Sequence, residues 1–174
     1  MDPAGRYDGG VILALDAATR TGVCEGIPGD TPRLEAVNFG TTGKGDEFDL
    51  WAAAQRFAAR RLDAPVRLLI LEGLVPQYDK TLQCGIYGII GAVARIRNIP
   101  ILTVMPQSWR ATVLGDGKLN RAKAKARALW LCGQLGWKPQ TDDDAEAACI
   151  WLWGCMQVAP RFAPQLPLFM RSAS

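Results

Sequence analysis

The chain has 174 residues, 49% of them hydrophobic and 21% charged, a balance that excludes a disordered or fibrous protein and fits one compact domain around one core. Twenty Lys plus Arg against seventeen Asp plus Glu leave a net charge of +3, too small to identify a polyanionic partner until its distribution is known. Histidine does not occur, which removes Ser-His-Asp and Cys-His nucleophiles, histidine-ligated zinc and imidazole bases. Chemistry falls to carboxylates, Lys, Tyr, Ser/Thr or Cys.

The five cysteines (24, 84, 132, 149 and 155) are odd in number and form no CxxC pair, so they read as reduced, mostly buried thiols. No apolar run reaches the ~18 residues of a membrane span, and the first ten residues lack the layout of a signal peptide. The expectation is a cytoplasmic protein with no membrane partner.

In chain order, Val11 to Leu15 form an unbroken apolar run closed by Asp16, the pattern of a strand buried on both faces. A turn follows, then two more strands over residues 22–27 and 33–39, separated by a Pro/Gly/Asp cluster. Apolar residues at helical spacing place a helix over 46–62. Residues 67–72 repeat the first pattern, an apolar run closed by one carboxylate, Glu72. A loop follows, then a helix over 80–98 despite Gly85, Gly88 and Gly91. Each glycine costs about 1 kcal/mol relative to Ala in a helix, so the three imply close packing, either at a dimer interface or against the chain's own sheet. A short strand over 101–104, a short helix over 106–114, and helices over 121–135 and 143–158 complete a domain of residues 1–158. Three prolines in the nine residues from Ala159 predict an extended or mobile tail over 159–174. The order describes an α/β fold, a mixed sheet flanked by helices, whose sites form beyond the carboxyl ends of parallel strands.

Asp16 and Glu72 both fall at such ends. An Asp there is often only a turn residue, but Glu is a poor strand former and a buried carboxylate needs a partner or a metal. A third group is Asp142, Asp143, Asp144 and Glu146. Thr141 can cap that helix with Asp144 completing a capping box, yet capping does not require four acids in five residues, and their repulsion calls for a positive charge among them. Asp143 and Glu146 share a helix face, as do Asp142 and Glu146. Two strand-end carboxylates and two from one helix face can form a histidine-free cluster of hard oxygen ligands, suited to Mg²⁺ or Mn²⁺. Such a cluster can hold two ions about 4 Å apart, the arrangement used in phosphodiester hydrolysis.

The segments 13–22 (LALDAATRTG), 69–72 (LILE) and 142–147 (DDDAEA) resemble, in order and spacing, the motif set of the RuvC-type Holliday junction resolvases, especially their bacteriophage-like branch. The resemblance implies a ribonuclease H-like fold with a mixed five-stranded sheet, a homodimer, and metal-dependent cutting of branched DNA. It also implies that Asp16, Glu72, Asp143 and Glu146 are the catalytic, metal-binding carboxylates, with Mg²⁺ as cofactor and Mn²⁺ able to substitute. The setting it implies is a bacterial or phage-infected cell. The chain departs from the pattern at Glu146, where the family has Asp; in the first motif, which lacks the Asp-Pro-Gly of cellular members; and at Val75, where an aromatic is expected and Tyr78 is the nearest substitute.

Residues 110–127 carry six bases, Arg110, Lys118, Arg121, Lys123, Lys125 and Arg127, against one acid, Asp116. Read alone this is a solvated helix face; beside an acidic cluster it is a grip for DNA phosphates. Arg20, with Thr19 and Thr21, is a further phosphate candidate beside Asp16, and Tyr78 is either a wedge into branched DNA or a packing residue. Trp130, Trp137, Trp151 and Trp153 read as core or interface. The reading is a structure-selective endonuclease for four-way or other branched DNA. Its rivals are a ribonuclease H-fold nuclease for RNA or flaps and a non-catalytic branched-DNA binder; an actin-like ATPase needs a second domain for which the chain is too short.

Overall fold

A computed structural model describes residues 7–40, 46–63, 65–74 and 81–166. Five strands, β1 (Val11–Asp16), β2 (Arg20–Gly26), β3 (Arg33–Asn38), β4 (Val66–Glu72) and β5 (Ile101–Val104), form one sheet in the order β3-β2-β1-β4-β5. The β1–β2 and β2–β3 pairs are antiparallel, and β1–β4 and β4–β5 are parallel. Among the described residues five helices join them: α1 (Glu47–Arg61), α2 (Thr81–Ile96), α3 (Pro106–Leu114), α4 (Arg121–Gln134) and α5 (Asp142–Val158). The architecture is the expected α/β one, a mixed five-stranded sheet flanked by helices.

The unbroken apolar strands are explained by alternation. Leu13, Leu15, Leu69 and Leu71 face a cluster with α1 and α2, while Ile12, Ala14, Leu68 and Ile70 face one with α3, α4 and α5. The sheet thus divides the expected single core into two. Because β1 and β4 run parallel with Leu15 opposite Leu71, their terminal carboxylates, Asp16 and Glu72, emerge side by side.

Local chemistry sets the helix ends. Asp46 caps α1 by accepting from the amide of Phe48. Thr141 and Asp144 form the full capping box at α5, and Asp144, completely buried, also accepts from the amide of Gln140. That assigns Asp144 to the helix end.

The glycines of α2 part company. A Cβ on Gly85 would meet the Trp51 indole of α1, whereas Gly88 and Gly91 have nothing within 4 Å of theirs. The expectation of one shared close contact is corrected: Gly85 serves intrachain packing, and the other two lie on an open face. Beyond α5, Ala163 and Leu166 pack against the core. All five cysteines are free thiols and only Cys84 is exposed. Trp137 and Trp151 pack edge to face in the core at 5.8 Å, while Trp130 stays 41% exposed. Among the described residues no helix is long and apolar enough to cross a membrane.

Candidate metal centre and nucleic-acid interface

The turn after β1 is fixed by Thr21, whose hydroxyl donates to the Ala18 carbonyl at 2.6 Å and accepts from the Ala18 amide at 3.2 Å. Thr21 is fully buried, which corrects its reading as a phosphate contact. From α2, the Gln83 side-chain amide donates to the Ala17 carbonyl at 3.0 Å, steadying the same turn. Gly22, paired with Asp16 across β1–β2, lets the start of α5 come in. A Cβ there would sit 2.0 Å from the Asp143 carbonyl oxygen, closer than any side chain permits.

That approach completes the cluster. One carboxylate oxygen each from Asp16, Asp143 and Glu146 lie within 4.8 Å of one another. Glu72 stands beside Asp16, at the end of the neighbouring parallel strand. Its Oε1 accepts a 2.6 Å bond from the indole Nε1 of Trp109, which is fully buried in α3.

Crowded, buried carboxylates hold their protons. Burial and then the neighbouring Asp143 raise Asp16, with Lys125 and Arg121 opposing. Burial and then Asp16 push Glu72 up to about 8, against the pull of the Trp109 hydrogen bond. Burial and Asp16 likewise push Glu146 up to about 7, with Arg110 opposing. The cluster is short of positive charge.

Four of the expected DNA-binding cations supply part of it, Arg121 through its charge on Asp16 and Glu146 and the other three through direct contact. Lys125 Nζ lies 2.8 Å from Asp142 Oδ2, 2.9 Å from Asp143 Oδ1 and 4.0 Å from Glu146 Oε2. Arg20 Nε reaches Asp143 Oδ2 at 3.1 Å, and an Arg110 guanidinium nitrogen reaches Glu146 Oε1 at 3.3 Å. Arg110 also lies over the Trp109 ring, 5.2 Å from its centroid. Burial works to lower Lys125, but its bonds to Asp142 and Asp143 prevail and raise it; the same lysine holds Asp142 below the usual carboxylate range. Lys125, Arg20 and Arg110 touch the acids, while Lys118, Arg121 and Lys123 are exposed and Arg127 is half-buried. Tyr78 and Val75 lie outside the described residues.

The donor set fits a hard divalent cation: carboxylate oxygens alone, brought together from β1 and α5, with an ammonium already drawn in among them. Trp109 was missed by sequence reasoning. Its only signal was an indole in a short helix directly after the strand that pairs with Glu72.

The strand order and helix placement define a ribonuclease H-like fold. No family model matches the chain, and no curated protein does. Among solved structures, Thermus thermophilus RuvC matches with a TM-score of 0.68 at 17% identity, over 88% of this chain and 98% of its own. T. thermophilus RuvC in complex with a Holliday junction substrate matches at 0.64 and 18% identity, over 80% of this chain and 89% of its own. The fold is therefore RuvC-like.

Proposed function

We propose that the protein is a divalent-metal-dependent endonuclease that cuts branched DNA, four-way junctions foremost. The observation that carries this reading is the convergence of Asp16, Asp143 and Glu146 within 4.8 Å at the carboxyl end of the parallel strands. The second support is a fold shared with a protein solved on a Holliday junction. Asp16, Asp143 and Glu146 would hold Mg²⁺, or Mn²⁺ in its place, with Glu72 beside them. Bound there, a pair of such ions supplies an activated water and stabilises charge on the departing oxygen.

The protein's own residues do the rest. Trp109 fixes the Glu72 carboxylate, and Arg110, stacked on that indole, fixes Glu146. Arg20 and Lys125 stand at the edge of the cluster, where a phosphodiester would meet them. Lys118, Arg121 and Lys123 extend the positive surface for the DNA backbone. A first motif without Asp-Pro-Gly supports a place in the bacteriophage-like branch. Two incisions across a junction require two sites, and the open face of α2 around Gly88 and Gly91 is the surface on which a homodimer would form.

The test is incubation of the purified protein with labelled four-way junction, flap, duplex DNA and RNA–DNA hybrid, with Mg²⁺ or EDTA. Paired, Mg²⁺-dependent incisions at the junction are expected. Preferential cutting of the hybrid or the flap would move the protein to another ribonuclease H-fold activity, and binding without cutting would leave a branched-DNA binder.

A further inference from the structure

Asp143 and Glu146 each face two cations, and Asp143 holds its pair at the shorter distances, 2.9 and 3.1 Å against 3.3 and 4.0 Å. Its Oδ1 takes Lys125 and its Oδ2 takes Arg20, so both oxygens already face a cation. A hard divalent ion binds carboxylate oxygens at about 2.0 to 2.6 Å, and on the Asp143 carboxylate it would stand close to the Lys125 ammonium already bonded there. Like charges at that separation repel strongly in a partly buried setting. The ion and the ammonium therefore compete for Asp143 and for Glu146. Asp142 stands apart from this competition. It bonds Lys125 at 2.8 Å and its side chain is 39% exposed, and it is not among the three carboxylates that converge.

We propose that Lys125 is a resident counter-cation of the metal-free site, a positioning residue that gives up Asp143 to the arriving ion while Asp142 retains it at the rim. Resting on the metal-dependent reading above, this adds an order of events within the site. Before the ion arrives, the ammonium holds the acids of α5 together against their own repulsion. Once displaced and tethered by Asp142, it is aimed outward, toward a phosphate. The same charge thus assembles the metal seat and then serves the substrate. Anything that draws Lys125 outward, a DNA phosphate included, frees Asp143, so ion and DNA should each strengthen binding of the other by the same factor.

The experiment measures Mn²⁺ binding without DNA, by electron paramagnetic resonance of the free ion, in alkaline buffer where the carboxyls are ionised. Wild type is compared with Lys125→Met. Removing the competitor is expected to tighten Mn²⁺ binding about tenfold; equal or weaker binding by a folded variant overturns the proposal. If wild type binds no Mn²⁺ at all, the metal-dependent reading falls, and this inference with it. Should Lys125→Met fail to fold, the wild type decides the matter. The ¹⁵Nζ resonance of Lys125 should shift in step with Mg²⁺ titration as its bond to Asp143 is lost, and a resonance that stays put as the site saturates overturns the proposal.

Discussion

The fully buried indole of Trp109 donates a hydrogen bond to the partly buried Glu72 across a separation of 37 residues, at 2.6 Å. The bond opposes the burial that holds Glu72 at about 8, so its removal should drive Glu72 higher still. Trp109→Phe keeps an aromatic in the core and deletes only the donor and part of the ring. We expect the acid limb of the pH–rate profile for junction cleavage to move to higher pH, with activity at neutral pH down about tenfold, the scale of one hydrogen bond to a charged group. Urea unfolding should show a loss of about 1 to 3 kcal/mol from the smaller ring. The same loss of stability with an unmoved pH profile would reduce the indole to packing.

If the protein is the proposed nuclease, Asp16→Asn, Glu72→Gln and Asp143→Asn should each abolish cleavage with junction binding largely kept, because on that reading the acids would carry the chemistry and Lys118, Lys123 and Arg127 the grip. Gel-shift and cleavage assays on the same preparations separate the two. Wild-type cutting by any one variant removes that residue from the site. Glu146→Asp should stay active, since one methylene is a small loss of reach, whereas Glu146→Ala should not. If both retain activity, Asp142 is the better candidate for the remaining ligand.

The strands and helices were legible because each announces itself locally. An apolar run closed by one acid is a strand buried on both faces, and Thr141 with Asp144 is a capping box whatever surrounds it. The direction taken by the basic residues was not legible. Lys125 is flanked by Ala124 and Ala128, both fully buried, so it borders the inward face of α4, and its ammonium meets Asp142 and Asp143 of α5 instead of solvent. Composition counts a lysine as a DNA contact, but only the packing of α4 on α5 reveals its partner. Gly22 illustrates the same limit. Its place in the first motif is visible, but the reason for it, the backbone of Asp143 pressed against it, belongs to tertiary structure.

The raised carboxyls make metal-free stability fall with pH. Glu72 and Glu146 have an ordinary value of 4.5 and sit at about 8 and about 7 in the folded protein. Between those limits the native state binds more protons than the unfolded one, so their contribution is complete below about pH 4.5 and is lost as pH rises through about 7 and about 8. The loss should amount to a few kcal/mol at most: a tenfold difference in proton affinity between folded and unfolded chain is worth about 1.4 kcal/mol, and neighbouring acids share the protons between them. A divalent cation favours the charged forms, so Mg²⁺ should raise Tm strongly in alkaline buffer and little near pH 5, releasing protons as it binds. Thermal melts across this range in Mg²⁺ or EDTA check both signs. Stability in EDTA that rises with pH, or an Mg²⁺ effect indifferent to pH, would sink this account.

The open face of α2 offers a test of assembly that does not disturb the site. Gly88 is exposed and a Cβ there would meet nothing, so Gly88→Leu costs the monomer no packing. Leucine should even add about 1 kcal/mol of helix propensity. On a twofold interface the same side chain is presented by both protomers at once, and a contact shaped around two glycines cannot take two leucines. Gly88→Leu is therefore expected to give a monomer in light scattering, at least as heat-stable as wild type, with the paired incisions at a junction lost or uncoupled into single nicks. Gly85→Leu should behave differently, because the Trp51 ring occupies the space its side chain needs, and it should lower Tm whatever the oligomeric state. A Gly88→Leu protein that stays dimeric and cuts both strands in concert would move the interface off this face of α2.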